Sequence, residues 1–90
     1  MSEVARILDT GIVQMPGRKY PAVAIQGDSL SIWLTHVEVV RDAISRGDLK
    51  EAQAELALLE EEMRGWQERY EETMKKLGIG LPYLRNEQAD

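Results

Sequence analysis

From Leu49 to Leu77 the apolar residues fall on one line: Leu49, Ala52, Leu56, Leu59, Met63, Trp66, Tyr70, Thr73 and Leu77. The steps alternate between three and four, with Thr73 as the one polar position and Met74 beside it as a substitute. No strand carries that period; it is a heptad seam on one helix. A helix over 49–77 is about 43 Å long at 1.5 Å per residue. The pairs Glu60/Arg64, Glu71/Lys75 and Glu72/Lys76 support its outer face at i,i+4 spacing. Gly78 supplies a stop and Pro82 prevents the helix from resuming. An amphipathic helix must lay its stripe on another layer, so the rest of the chain is read as the search for that layer.

The segment before it offers a second helix. A helical pattern runs from Asp28 to about Arg46, with Leu30, Trp33, Leu34, Val37, Val40 and Ile44 as its principal stripe. Arg46-Gly47-Asp48 is a short connection, so the two helices form an antiparallel hairpin. Asp48 followed by Glu51 has the spacing of a capping box, and Asp28 or Ser29 is the expected N-cap of the first helix. A further apolar line, Ile32, Val39 and Ala43, lies almost opposite the principal stripe, where a surface helix is normally polar.

Residues 1–27 read as β. "IVQM" (12–15) and "YPAVAIQ" (20–26) are strands, and Pro16-Gly17 between them has the residues of a type II turn. Pro21 cannot donate a ladder hydrogen bond and belongs at a strand start or an edge. "VARIL" (4–8) is a third strand or a short helical turn. The expected fold class is therefore α+β: a small antiparallel β-hairpin or meander followed by a long antiparallel αα-hairpin. It forms a single domain over 1–84, with a β part (1–27), a helical hairpin (28–77), a C-terminal segment that packs back (78–84), and a flexible tail (85–90).

Composition narrows the functions. Lys and Arg number 11 against 16 Asp and Glu, a net charge of −5. Binding a phosphate backbone needs clustered cations, so nucleic acid is not expected as a partner. The absence of cysteine removes disulfides and thiolate metal sites. No apolar run approaches the roughly 20 residues that span a bilayer, and "MSEVARILDTG" lacks the features of a signal peptide. The expectation is a cytoplasmic protein without membrane contact or cofactor.

"VAIQGDSLS" (23–31) is the stretch that suggests chemistry. Gly27-Asp28-Ser29-Leu30 after an apolar run resembles the first block of GDSL-type serine hydrolases, which would make Ser29 a nucleophile. The other blocks of that family are missing. The one histidine, His36, lies two helical turns after Ser29, about 10 Å along the axis. The one asparagine, Asn86, sits in the tail. A cap that accepts hydrogen bonds from orphan backbone N–H groups explains Asp28 and Ser29 with fewer requirements. A minimal esterase using Ser29 is kept as an alternative, and the chain is read as no enzyme.

The string "MPGRKYPAVAIQGDSLSIW", with the later "LGIGLPY", resembles a family of short bacterial proteins of unassigned function. The shared pattern is a Pro-Gly-Arg-basic-aromatic-Pro turn followed by a Gln-Gly-Asp-Ser-Leu junction. On this chain those positions are Pro16, Gly17, Arg18, Lys19, Tyr20, Pro21, Gln26, Gly27, Asp28, Ser29 and Leu30. The resemblance implies no reaction.

The expected role is therefore protein–protein contact. The first helix has the surplus line Ile32, Val39 and Ala43. The second continues past its shorter partner through Trp66, Tyr70 and Leu77. Together they are the expected interface of a helix-mediated homodimer. Arg18, Lys19 and Tyr20 form a candidate partner-contact turn. The acidic residues Glu51, Glu55 and Glu60 to Glu62 suggest a basic protein partner, as in an immunity-like protein that neutralises a basic toxin.

Overall fold

A computed structural model describes residues 4–84; the expected tail over 85–90 lies outside them. Three antiparallel strands, β1 (Arg6–Asp9), β2 (Ile12–Gln14) and β3 (Ala22–Val23), are followed by α1 (Gly27–Ser45) and α2 (Leu49–Leu77). The sheet is a meander in the order β1-β2-β3. The fold is α+β with a helical hairpin, as the periodicity requires. The described residues divide into two compact units, one of residues 4–24 and 68–84, the other of residues 25–67. The last turns of α2 belong to the first unit.

In the first unit β1 pairs with β2 as Arg6↔Gln14, Ile7↔Val13 and Asp9↔Ile12, with an irregularity between Ile7 and Asp9. That bulge leaves Leu8 packed on the core while Ile7 is 82% exposed. β3 is shorter than the expected 20–26. Pro21 has no N–H to give the ladder, and after Val23 the one further link is Ala24 N–H to the Gly11 carbonyl at 2.8 Å. The core joins Ile12 of β2 to Tyr70 and Met74 of α2, with Leu8, Tyr20, Val23, Ile79, Leu81 and Tyr83 around them. Residues 79–83 thus fold back on the end of α2. Their return is set by its C-terminus, where Gly78 N–H donates to the Lys75 carbonyl and Ile79 N–H to the Met74 carbonyl. This is a Schellman pair, with Ile79 packed on Met74.

The second unit is the helical hairpin. Its connection is another Schellman motif: Gly47 N–H donates to the Ile44 carbonyl and Asp48 N–H to the Ala43 carbonyl, at 3.0 and 2.8 Å. Gly47 holds φ 78°, where a Cβ would be strained. Asp48 then caps α2, its Oδ1 accepting from the Glu51 N–H at 3.0 Å. Glu51 does not complete the box; its carboxylate takes a bond from Arg46 Nη2 instead. Arg46 also donates from Nε to Asp42, so one guanidinium links α1 to α2 across the turn. These two carboxylates, Glu51 first, hold Arg46 in its charged form.

The start of α1 departs from the expected cap. The cap position falls on Gln26, in extended conformation, and its side chain makes no capping bond. The first helical bond runs from Leu30 N–H to the Gln26 carbonyl. Asp28 and Ser29 therefore sit inside the first turn. Asp28 accepts from the Ser29 N–H next to it and complements the positive end of the helix dipole.

Candidate interaction surfaces

The side of α1 that meets α2 keeps Trp33 and Val40 of the expected stripe but not Leu30, Leu34, Val37 or Ile44. Ala43 is fully buried, and Trp33, His36 and Val40 are half-buried in line with it. Two polar pairs fix this choice. Trp33 Nε1 donates to Glu62 at 2.7 Å, and His36 Nδ1 lies 2.5 Å from Glu55 Oε2. On α2 the facing line is Ala52, Glu55, Leu59, Glu62 and Trp66, of which Ala52 and Leu59 are buried. The heptad seam thus splits. Ala52, Leu59 and Thr73 turn inward, whereas Leu49, Leu56, Met63 and Leu77 stay about half exposed.

The displaced residues form a surface. On α1, Leu34, Val37 and Ile44 each follow an inward position by one residue, a rotation of about 100°, and Leu30 lies one turn before Leu34 on the same line. On α2, Leu56 and Met63 follow Glu55 and Glu62 in the same sense, and Leu49 lies seven residues before Leu56 on the same line. In two antiparallel helices that face each other, equal rotation from the facing line leads to the same flank of the pair. All seven side chains therefore share one flank of the hairpin, each between 43 and 63% exposed. Along α2 this flank holds an open groove of about 540 Å³ lined by Leu56, Leu59 and Met63, with Glu60, Arg64 and Gln67.

Four residues of the expected α1 core stripe, Leu30, Leu34, Val37 and Ile44, lie on this surface instead. The residues expected at the interface are others, and the structure separates them. Ala43 is fully buried in the hairpin, and Tyr70 is buried in the core of the first unit. Neither is available as a surface residue, because each is enclosed by its own chain. Ile32 and Val39 fall on the opposite flank of α1, Ile32 half exposed and Val39 half-buried. Trp66 is half-buried and Leu77 half exposed. The missed signal was legible: steps of four, three and seven link Leu30, Leu34, Val37 and Ile44 without Trp33 or Val40.

Four acidic residues of α2 are engaged within the chain. Glu51 holds Arg46, Glu55 holds His36, Glu60 holds Arg64 and Glu62 holds Trp33. The cations of the β2–β3 turn differ. Arg18 and Lys19 are exposed, and among the described residues neither has an ion pair; Lys19 Nζ lies 5.3 Å above the Tyr20 ring. Ser29 is half-buried in the first turn of α1, and the imidazole of His36 is committed to Glu55. Among the described residues no three His, Asp or Glu side chains converge as a metal would require, and no helix is long and apolar enough to cross a membrane.

No curated protein and no solved structure matches the chain. One family does, over residues 4–83, from β1 through the segment that folds back on α2. That match takes in the turn, the helical hairpin and both Schellman stops, and by it the chain belongs to the family of unknown function DUF6959.

Proposed function

We propose that this protein is non-catalytic and acts through protein–protein contact, with the helical hairpin pairing two copies of the chain into a four-helix bundle. The observation that carries the reading is the single flank of seven half-exposed apolar side chains, Leu30, Leu34, Val37, Ile44, Leu49, Leu56 and Met63. Within residues 25–67 the buried side chains are Ala43, Ala52 and Leu59. Two helices enclose no core by themselves, since each touches the other along one line; a second layer is the usual remedy. The exposed flank amounts to on the order of 700 Å² per copy, close to the roughly 800 Å² each partner contributes to a stable interface. A contiguous apolar patch of that size is rare on a monomer. A second hairpin about a two-fold axis presents the same stripe at the same spacing, so the contact is self-complementary. Sedimentation equilibrium at micromolar concentration tests the pairing. A mass of twice 10.2 kDa is expected; 10.2 kDa throughout rejects the homodimer.

A further inference from the structure

The β2–β3 turn is braced by hydrogen bonds at both of its ends. Arg18 N–H closes it on the Met15 carbonyl at 3.3 Å, with Gly17 at φ 74°. Gln14 on β2 braces it from inside, donating from Nε2 to the carbonyls of Arg18 and Met15 at 2.7 and 3.3 Å. Its far end is anchored in the core. Tyr20 packs there half-buried, Pro21 is buried, and the Pro21 carbonyl accepts from Tyr70 Oη at 2.7 Å. Two open grooves flank the turn, of about 690 and 480 Å³. Arg18 and Lys19 line both. Met15, Pro16, Tyr20 and Pro21 make a largely apolar wall of the larger groove, and Arg6 of β1 stands in the smaller.

The charge around this turn is opposite to that of the chain. Net charge is −5 overall, yet among the described residues no carboxylate lines either groove, and three cations do. Among the described residues Arg6, Arg18 and Lys19 form no ion pair, whereas Arg46 and Arg64 are both held by carboxylates. Cations on a hydrogen-bonded turn beside an apolar wall, with no counter-charge among the described residues, suit a ligand carrying both negative charge and apolar groups.

The geometry points to this turn as a binding site for an acidic peptide segment of a partner protein. The carboxylates are taken by Arg18, Lys19 and Arg6, and an apolar side chain rests on Tyr20 and Pro21. Arginine's planar fork suits a carboxylate in bidentate geometry. A nucleic acid is the poorer occupant, because three cations neutralise few phosphates and the remaining charge of the chain repels a polyanion. This site does not depend on the pairing of the helical hairpin, so failure of either proposal leaves the other standing.

Backbone-amide NMR on the full chain tests it, with a capped peptide of alternating glutamate and leucine as the probe. Controls are the same peptide with glutamine for glutamate and a short oligothymidylate. Saturable shifts are expected at Arg6 and across residues 15–22, absent with the glutamine peptide and weakened by salt. The double substitution Arg18→Gln/Lys19→Gln should weaken binding by on the order of tenfold, as two exposed charge contacts worth a few-fold each are lost together. Arg6→Gln, on a different element, should weaken it by a smaller factor, and thermal unfolding checks that each variant stays folded. The proposal is overturned if the acidic peptide produces no shifts there or the glutamine peptide binds as well. It is equally overturned if the folded double variant binds unchanged, or if oligothymidylate binds these residues and the peptide does not.

Discussion

The hydroxyl of Tyr70 donates a 2.7 Å hydrogen bond to the carbonyl of Pro21, joining α2 to the strand segment 49 residues earlier in the chain. Both residues are buried, and Pro21 precedes the short strand β3. Tyr70→Phe keeps the ring against Ile12 and Met74 but leaves a buried carbonyl without its donor. We expect a loss of about 1–3 kcal/mol in urea unfolding, against about 3–5 kcal/mol for Tyr70→Ala, which also empties the core. Equal losses in the two variants would show that the ring adds nothing.

The same hydroxyl should make stability fall at high pH. Burial, with Tyr20 beside it, pushes the Tyr70 hydroxyl above the ordinary tyrosine value of 10.0. A group whose folded pKa is raised contributes stability that is complete below the unfolded value and is lost as pH rises through the folded one. The melting temperature should therefore decline above pH 10, and Tyr70→Phe should flatten that decline. An unchanged slope in the variant would assign the alkaline limb to other groups.

Asp9 should contribute on the acid side. Its carboxylate accepts from the Thr10 N–H at 2.7 Å and from the Thr73 hydroxyl at 3.2 Å. The Thr10 bond first, then Thr73, hold this carboxyl below its ordinary 3.8, with Lys76 and Arg69 adding attraction. A depressed folded pKa gives stability that is present above the unfolded value and lost as pH falls through the folded one. Asp9→Asn should lower stability at neutral pH and reduce the further loss below pH 3.8, measured by urea midpoints across pH. A variant whose acid limb is as steep as the parent's would remove Asp9 from that role.

Substitutions at the two helix starts distinguish a cap from a first-turn residue. Asp48→Ala removes the bond to the Glu51 N–H and should cost about 0.5–2 kcal/mol. Ser29→Ala removes a hydroxyl that caps nothing and should stay within about 0.5 kcal/mol. Short-chain ester hydrolysis measured on the same Ser29→Ala protein checks the non-catalytic reading: turnover in the parent that vanishes in the variant would make Ser29 a nucleophile.

Charge placed on the apolar flank should separate the paired hairpins. Leu34→Glu and Leu56→Glu put a carboxylate on that flank from either helix, and each is expected to halve the mass seen in sedimentation. Ile32→Glu, on the opposite flank of α1, is expected to leave it unchanged. Dissociation by Ile32→Glu alone would move the interface to the other side of the hairpin.

Much of this protein was legible along the chain because the signals are local. A seam of three and four steps from Leu49 to Leu77 specifies a helix wherever it occurs, and α2 has those ends. Pro16-Gly17, Gly47 and Gly78 mark turns through backbone sterics that need no distant partner, and each marks one here. Asp48 is close enough in sequence to reach the N–H it caps. The membership of a family spanning residues 4–83 agrees with the wide extent of the resemblance.

The orientation of α1 was not local. Leu30, Leu34, Val37 and Ile44 on one side and Ile32 and Val39 on the other leave it apolar over most of its circumference, so periodicity alone selects no inward face. Selection came from α2, where Glu55 and Glu62 stand opposite His36 and Trp33 and offer acceptors that those rings would otherwise lose on burial. Turning Trp33 and His36 inward rotates Leu34 and Val37 outward, because neighbours on a helix are about 100° apart. The sequence alone determined which segments are helical and where they stop, since those preferences belong to each residue and its near neighbours. Which face is covered and which remains exposed was decided only when two distant segments met, because a hydrogen bond to a partner helix has no signature in the spacing of the first.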